Sequence, residues 1–218
     1  MGALLRLTDI RHGYGDRVVL DGVTLAVGAG ECAVLTGENG SGKSTLLRLA
    51  AGRETPWTGT VTFRDRTVSE DDPAMRAAIA AVLDSGVGYP DLGVREHLML
   101  VALAHGLGGS AAAAVDEVLA EHRLDGRAEA RPHQLSSGQA QLLSLAQAFI
   151  RPCELLILDE PEQRIDKDGR KRLAERLNAV KADGVAVLLA THDRTLADAV
   201  ADTVFAVSDE GRTAIAGG

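Results

Sequence analysis

The segment VLTGENGSGKST contains four residues whose types and spacing suit the binding of a phosphate chain. Gly37, Gly42, Lys43 and Ser44 fill every fixed place of the pattern GxxxxGK[ST]. The glycines allow backbone N–H groups to turn inward. Lys43 can reach the β and γ phosphates of a nucleotide, and Ser44 can offer its hydroxyl to Mg²⁺. The sequence therefore predicts a nucleotide-binding loop, in which Asn39, Gly40, Ser41 and Thr45 are further predicted contacts to the nucleotide.

A second segment, LLILDEPEQRID, runs four apolar residues into two adjacent carboxylates, Asp159 and Glu160. Two carboxylates at the end of a buried strand cost several kcal/mol per ion when no cation is present. We therefore predict that Asp159 joins the Mg²⁺ shell and that Glu160 polarises the water that attacks the terminal phosphate. Glu162, a little further along, is expected to be a solvated residue at the strand terminus.

These groups need a strand and a helix to position them, and the flanking segments predict both. ECAVL predicts a strand before the loop, and STLLRLAAG predicts a helix whose N-terminal dipole faces the phosphates. Further strand patterns, ELLILD and GVAVLLAT, alternate with helical patterns, which is typical of an α/β fold with a largely parallel sheet. The segment DDPAMRAAIAAVLD is ambiguous. Asp72 and Pro73 favour a helix start, but AIAAVL could equally be a buried strand.

The middle of the chain has apolar positions at helical spacing, in VREHLMLVALAHG, AAAAVDEVLAEHRL and QAQLLSLAQAFI. We predict one domain over residues 1–218, with an α/β core from 1–84 and 150–218 and a helical subdomain from 85–149. The uncharged run from Leu98 to Val115 is interrupted by His105 and GLGGS. We therefore expect two helices and a turn there, and no membrane span.

Composition disfavours several classes of protein. The 23 basic and 31 acidic residues give a net charge of −8, without a long basic run, which disfavours binding to nucleic acid or anionic lipid. The start GALLRLTDI lacks the features of a secretory signal, so we expect a cytoplasmic protein. Cys32 and Cys153 each adjoin a strand-like apolar run and are expected to behave as small core residues.

Two further motifs narrow the interpretation. LSSGQ, from Leu135 to Gln139, opens a predicted helix, and LLATHD places His192 at the end of an apolar strand. With the phosphate loop and the acidic pair, their order and spacing make essentially the whole chain resemble the nucleotide-binding subunits of ABC transporters. That family has the signature LSGGQ and a strand-end histidine that contacts the γ-phosphate. The resemblance implies a P-loop NTPase core with a mostly parallel sheet, an N-terminal antiparallel β portion and an inserted α-helical subdomain.

The resemblance also implies roles for individual residues. Tyr14 is similar to the aromatic residue that stacks on adenine, with an ordinary surface tyrosine as the alternative. His192 is similar to the residue that holds the γ-phosphate and the attacking water, so that the implied catalytic set is Lys43, Glu160 and His192. The signature residues would press on a nucleotide held by the opposite subunit of a head-to-tail dimer, and they are Ser136, Ser137, Gly138 and Gln139. The histidines without such a context, expected to be exposed or structural, are His12, His97, His105, His122 and His133.

The sequence departs from the family pattern at three places. Ser137 stands where the family has glycine, a small change that should be tolerated. Asp84 stands where the family has a glutamine that bridges Mg²⁺ and the membrane partner, so Asp84 is a predicted Mg²⁺ ligand with an altered coupling role. After the acidic pair, the family's Ser-Ala-Leu-Asp is replaced by the segment from Gln163 to Asp166, in which only the aspartate is kept.

These observations predict the ATP-hydrolysing subunit of an ABC transporter, closer to export-type subunits, with ATP and Mg²⁺ as cofactors. It would form a homodimer or a heterodimer with a paralogue and would drive a separate integral membrane permease by ATP-dependent dimer closure. Through that partner it would lie on the inner face of the cell membrane. Two alternatives are a soluble ATPase of the same family that serves a non-transport assembly, and a regulatory subunit that hydrolyses ATP only weakly.

Overall fold

The computed structural model describes residues 2–83, 88–208 and 212–215, which form two compact units. The first, here called the core unit, comprises 1–83, 153–160 and 168–218, and the second, the helical unit, comprises 84–152 and 161–167. The strands are β1 (Ala3–Tyr14), β2 (Arg17–Gly28), β3 (Cys32–Thr36), β4 (Thr58–Phe63), β5 (Arg66–Thr67), β6 (Ile79–Val82), β7 (Leu155–Asp159), β8 (Ala186–Ala190), β9 (Thr203–Val207) and β10 (Thr213–Ile215). The α-helices are α1 (Lys43–Ala50), α2 (Pro73–Ala78), α3 (Val94–Ala104), α4 (Ala111–Glu121), α5 (Ser137–Phe149), α6 (Lys167–Ala182) and α7 (Arg194–Val200).

The core unit contains two sheets. A four-stranded antiparallel sheet has the order β2-β1-β4-β5, and a six-stranded sheet has the order β10-β9-β3-β8-β7-β6. All neighbours in the second sheet pair in parallel except β10 and β9. The α/β fold with a mostly parallel sheet and an N-terminal antiparallel portion is therefore confirmed.

The central strands β3, β7 and β8 are apolar without alternation, because both faces of the parallel sheet are covered. Every residue of β8 is buried, and so are the first four residues of β3 and of β7. The carboxyl ends of parallel strands lie at one edge of a sheet, which is where ligands bind in open α/β folds. The phosphate loop after β3, the acidic pair at the end of β7 and His192 after β8 therefore share that edge.

The ambiguous segment from Asp72 to Val82 forms both predicted elements in succession. The Asp72 carboxylate accepts a hydrogen bond from the Ala74 N–H at 2.8 Å and caps α2, and Pro73 takes the first helical position. The chain then becomes extended at Ile79, and β6 pairs in parallel with β7. Both signals in the sequence were correct, because pairing with a central strand draws the apolar second half into the sheet.

Cys32 is fully buried in β3, as predicted, and burial raises the pKa of its thiol to about 12. Cys153 is only partly buried.

Glu162 contradicts the expectation of a solvated residue, because it is just 5% exposed. Pro161 and Ile165, on either side of Glu162, are buried as well. The chain therefore turns back into the protein after β7, where the sequence pattern suggested a solvated strand end.

The helical unit has its own apolar core, built from one face of each of three helices. Val94 and Leu98 of α3, Val115 and Leu119 of α4, and Ala146 of α5 are at most 1% exposed. The two helices and a turn predicted between Leu98 and Val115 are confirmed as α3, a short 3₁₀ turn and α4. Among the residues that the structure describes, no helix combines the length and apolar character needed to cross a membrane.

Candidate functional site

Lys43, the first residue of α1, is buried against the loop that precedes it. Its ammonium group donates hydrogen bonds to the carbonyl oxygens of Gly37 and Glu38, both at 2.9 Å. Only 5% of Lys43 is exposed. The loop therefore wraps around a fixed positive charge that lies in the concavity at the N-terminus of α1, an arrangement suited to phosphate oxygens.

Two glycines let this loop close. Gly37 has φ +149°, and a Cβ there would lie 2.3 Å from the carbonyl oxygen of Val207. Gly42 has φ +103° and immediately precedes α1, and its Cβ would lie 2.7 Å from a methyl group of Leu20. Any side chain at either position would clash with its surroundings and would require a rare backbone conformation. The glycines of the motif are thus required by packing as well as by the approach of a ligand.

Ser41, between these glycines, supplies a second indication that an anion fits here. Its hydroxyl oxygen is buried and makes no hydrogen bond to any of the residues that the structure describes. A buried hydroxyl without a partner costs free energy, so such groups in native proteins call for an explanation. A phosphate oxygen in the loop would accept this hydroxyl hydrogen, and the chemistry of the loop therefore fits a nucleotide.

Ser44 and Asp159 form the next part of the site. The Ser44 hydroxyl hydrogen-bonds the Asp159 carboxylate, which joins the start of α1 to the end of β7. Burial raises the pKa of Asp159 and the neighbouring charge of Glu160 adds to this, against the lowering effect of the Ser44 hydrogen bond and of the cations Arg48 and Lys43. A carboxylate with a raised pKa is one that a bound cation would stabilise.

The donor set at Ser44 and Asp159 consists of oxygens, which is the set that Mg²⁺ prefers. Within 2–83, 88–208 and 212–215, no three His, Cys, Asp or Glu side chains gather closely enough to hold a metal by themselves. Mg²⁺ ordinarily keeps several waters and binds through one or two carboxylates plus substrate phosphates, so these two residues fit it. Asp84, the third predicted ligand, lies outside the described residues.

Glu160 lies beside His192 at the same edge of the sheet. Its Oε1 is 3.0 Å from His192 Nε2, and its backbone N–H donates to the Ala190 carbonyl at 2.8 Å. Glu160 has φ +45°, a conformation that residues other than glycine adopt with strain. In this conformation the Glu160 side chain reaches His192.

The backbone after His192 is fixed by a second set of hydrogen bonds. The Asp193 carboxylate caps α7 by accepting the Leu196 N–H at 3.1 Å, and it also accepts a hydrogen bond from Arg170 at 2.9 Å. The hydrogen bond from the Leu196 N–H is the largest influence on the pKa of Asp193, which lies below its usual value. The Asp193 N–H donates to Thr191 Oγ1 at 2.9 Å. His192 is therefore held on both sides by its chain neighbours.

Tyr14 ends β1, and its ring is half exposed. The hydroxyl donates to the Glu54 carboxylate, with Oη 2.9 Å from Oε2, and it lies 3.4 Å from the hydroxyl oxygen of Thr45. Thr45 belongs to the first turn of α1, so Tyr14 is next to the phosphate loop. This placement suits the predicted contact with a nucleobase, which stays a prediction beside the alternative of an ordinary surface tyrosine.

The signature residues lie in the helical unit. Ser136 caps α5: its hydroxyl accepts from the Gln139 N–H at 3.2 Å, while the Gln139 side chain accepts from the Ser136 N–H at 3.0 Å. Ser137, the departure from the family pattern, is exposed at the first helical position. Gly138 faces the backbone of the segment 161–167, and a Cβ there would be 2.6 Å from the Arg164 carbonyl oxygen.

Sequence reasoning missed two residues of this site, His12 and Glu54. Both contact each other and Tyr14, with Glu54 Oε2 3.1 Å from His12 Nε2. The expectation that His12 is exposed or structural left out this link to Tyr14. Glu54 follows α1 in an irregular stretch, and no motif or periodicity in the sequence relates it to β1.

Comparison with known proteins identifies the family of this chain. A family model described as ABC transporter matches residues 20–163, which is more than half of the chain. The chain belongs to the ABC transporter family. A curated member, the Nod factor export ATP-binding protein I of Cupriavidus metallidurans, is 36% identical over 193 residues. That alignment takes in 88% of this chain and 64% of the relative, so the chain spans just under two thirds of the length of this family member.

Solved structures of the ABC transporter family share the fold. The structure described as an ATP binding subunit of an ABC transporter has a TM-score of 0.88 at 32% identity, over 98% of this chain and 89% of its own. A dimeric ATP-binding cassette in a post-hydrolysis state, bound to ADP and Pi, has a TM-score of 0.86 at 23% identity over 96% of both chains. The second likeness supports the cassette fold alone.

Proposed function

We propose that this chain is the ATP-hydrolysing subunit of an export-type ABC transporter, which drives a separate membrane permease. The observation that carries the proposal is the Glu160 to His192 contact of 3.0 Å, at the sheet edge that also carries the phosphate loop. A carboxylate oriented by an imidazole beside a phosphate site is suited to activating water. The name of the curated relative, a Nod factor export ATP-binding protein, favours export.

In the proposed reaction, the side chains at this edge of the sheet have the following roles. Lys43 and the loop N–H groups bind the β and γ phosphates, and Ser41 donates its hydroxyl hydrogen to a phosphate oxygen. Glu160 accepts a proton from the water that attacks the γ-phosphorus, and the bond to the ADP oxygen breaks, giving ADP and phosphate. His192 orients the Glu160 carboxylate and the γ-phosphate. Tyr14 stacks on the adenine.

Ser44 and Asp159 would hold Mg²⁺, with Asp84 as a further proposed ligand. When bound, Mg²⁺ neutralises the negative charge that develops on the phosphate oxygens. The Ser44 hydroxyl, already directed at Asp159, keeps that carboxylate at the edge of the loop.

A dimer would complete the site. Ser136, Ser137, Gly138 and Gln139 are proposed to contact the nucleotide of a second copy or of a paralogue in a head-to-tail dimer. Binding of ATP would close that dimer and hydrolysis would reopen it. The subunit would reach the inner face of the membrane only through the permease.

Steady-state phosphate release with MgATP tests the enzyme proposal. We expect Glu160→Gln to lower the rate by about 100-fold or more, because it removes the proton acceptor, while MgATP binding remains. Glu175→Gln, on the exposed face of α6, is the matched control and should hydrolyse at the wild-type rate. Near-zero rates in the wild type and in both variants would instead favour the weakly hydrolysing regulatory subunit.

The partner is tested separately, by co-purification of tagged Glu160→Gln from detergent-solubilised native membranes with ATP and Mg²⁺. A stoichiometric partner with several apolar stretches of about 20 residues is expected, since each can cross the bilayer. Recovery of water-soluble partners alone, from membranes in which other complexes survive, would contradict the permease proposal and favour a non-transport assembly.

A further inference from the structure

Glu54 is a shared acceptor for two residues of β1. Its carboxylate accepts the Tyr14 hydroxyl, with Oη 3.0 Å from Oε1 and 2.9 Å from Oε2, and it accepts the ring N–H of His12, with Nε2 3.1 Å from Oε2. Tyr14 and His12 are two positions apart in β1, where the pairing with β2 is irregular between His12 and Gly13, and both side chains reach the same carboxylate. One carboxylate from the segment after α1 therefore fixes both.

His12 and Glu54 are more buried than Tyr14, whose ring is exposed. His12 is 7% exposed and the Glu54 side chain is 22% exposed, whereas Tyr14 is 49% exposed. The His12 ring meets the Tyr14 ring edge to face, with centroids 5.5 Å apart. The His12 ring also packs against the Trp57 ring at a tilt, with centroids 5.8 Å apart. Glu54 and His12 thus hold Tyr14 by its hydroxyl and by its ring, and leave part of the ring free to meet a ligand.

We propose that Glu54 and His12 are positioning residues for the nucleobase: they fix the Tyr14 ring beside the phosphate loop before a nucleotide binds. This inference rests on the proposed function, since it needs a nucleotide whose phosphates occupy the loop. The Tyr14 hydroxyl lies 3.4 Å from the Thr45 hydroxyl oxygen in the first turn of α1, so the fixed ring lies next to the helix that begins at the phosphate loop.

The physical effect is preorganisation. A tyrosine that rotates freely must lose that freedom when a base stacks on it, which weakens binding. The two contacts on Glu54 remove this loss in advance. Because the effect concerns the base alone, it should leave the binding of bare phosphates unchanged, and this separates positioning from general damage to the site.

The experiment compares MgADP with magnesium pyrophosphate, which has the same phosphates and no base, by calorimetric titration of the full chain. Tyr14→Ala is expected to weaken MgADP by about fivefold to 100-fold through lost stacking. Glu54→Ala is expected to weaken MgADP by about twofold to tenfold. Neither change should affect pyrophosphate. Glu54→Gln keeps an acceptor oxygen and should bind MgADP nearly as the wild type does.

A control and a spectroscopic signal complete the test. Glu70→Ala removes the same charge from the core unit at an exposed residue, which meets Arg76 through its backbone carbonyl, and it should leave both affinities unchanged. Trp57 is the single tryptophan of the chain. Its emission should respond to MgADP in the wild type and in Glu54→Gln, and less so in Glu54→Ala.

Three outcomes overturn the inference. Equal losses of MgADP and pyrophosphate affinity in Glu54→Ala would indicate damage to the loop, and unchanged MgADP affinity in that variant would show that Tyr14 needs no support. Unchanged MgADP affinity in Tyr14→Ala would show that Tyr14 does not stack on the base. In these cases the proposed function stands, whereas a wild-type protein that binds neither MgADP nor MgATP would contradict the proposed function as well.

Discussion

His192 Nε2 lies 3.0 Å from Glu160 Oε1, and the backbone sets this distance. The Glu160 N–H donates to Ala190 at 2.8 Å, which continues the parallel pairing of β7 with β8 by one residue beyond Asp159. His192 follows two residues after Ala190. The two side chains therefore meet because the register of the sheet brings the ends of neighbouring strands together.

The first prediction treats Glu160 and His192 as one unit. We expect His192→Ala to lower phosphate release by about 100-fold, because Glu160 loses the contact that orients it. In the double variant with Glu160→Gln, the rate should fall little below that of Glu160→Gln alone, since residues that act together give non-additive losses. Multiplied losses in the double variant would show that the two residues act independently.

The second prediction concerns the close approach at Gly138. Gly138→Ala places a methyl group 2.6 Å from the Arg164 carbonyl oxygen, so we expect the free energy of unfolding to fall by about 1–3 kcal/mol. Urea unfolding measures the change. Gly126→Ala, in the same unit, has open space around its Cβ and is the control. Equal stability of the two variants would contradict the close packing of α5 on the segment 161–167.

The third prediction follows from the raised pKa of Asp159. The folded state holds the Asp159 proton more tightly than the unfolded chain does, so folding stability falls as pH rises from the unfolded pKa through the folded value. Asp159→Asn removes this loss of folding stability at neutral pH, and the asparagine side chain can still accept the Ser44 hydrogen bond. In the absence of nucleotide we expect the variant to melt at a higher temperature than the wild type at pH 7. In a separate assay with MgATP, we expect the variant to have lost hydrolysis.

The difference in melting temperature for Asp159→Asn should disappear in acid, where the wild-type carboxyl is also neutral in both states. Asp183→Asn, an exposed residue after α6, should melt as the wild type does at every pH. A variant less stable than the wild type at neutral pH would show that the Asp159 charge is already compensated by its surroundings.

The fourth prediction has the opposite sign and concerns Asp202. Burial is the largest influence and raises the pKa, but the hydrogen bonds from Lys181 and from the Cys32 N–H, together with the Lys181 charge, lower it overall. The stability from these contacts is therefore present above the unfolded pKa and is lost as pH falls through the folded value. Since the side chain is 46% exposed, Asp202→Asn should cost only about 0.2–1 kcal/mol at pH 7.

Urea unfolding at pH 7 and in acid measures the Asp202 contribution. The wild type and Asp202→Asn should converge as pH falls, while Asp183→Asn follows the wild type throughout. A constant difference between wild type and Asp202→Asn across this range would mean that the contacts at Asp202 do not depend on its charge.

The sequence predicted most of the site because its parts are local or lie at strand ends. The loop from Gly37 to Thr45 is recognisable from spacing alone, and the apolar runs before Asp159 and His192 predict buried parallel strands whose ends meet. These features follow from the periodicity and length of short segments, so no tertiary information is needed to locate them.

Contacts between distant segments could not be predicted in this way. Glu54 reaches Tyr14 because the C-terminal end of α1 lies beside the hairpin of β1 and β2. No sequence pattern in either segment predicts that contact. The burial of Glu162 likewise depends on how the chain turns after β7. The segment from Asp72 to Val82 is a third case. The sequence indicated both a helix and a strand there, and both form, but the residue at which the helix ends and the strand begins depends on pairing with β7.

The backbone of Glu160, with its φ of +45°, has a consequence for how the protein can change over generations. Glycine would relax this residue, and such a substitution should make the fold more stable while removing the carboxylate on which hydrolysis is proposed to depend. Selection for stability alone would therefore favour loss of activity at this position.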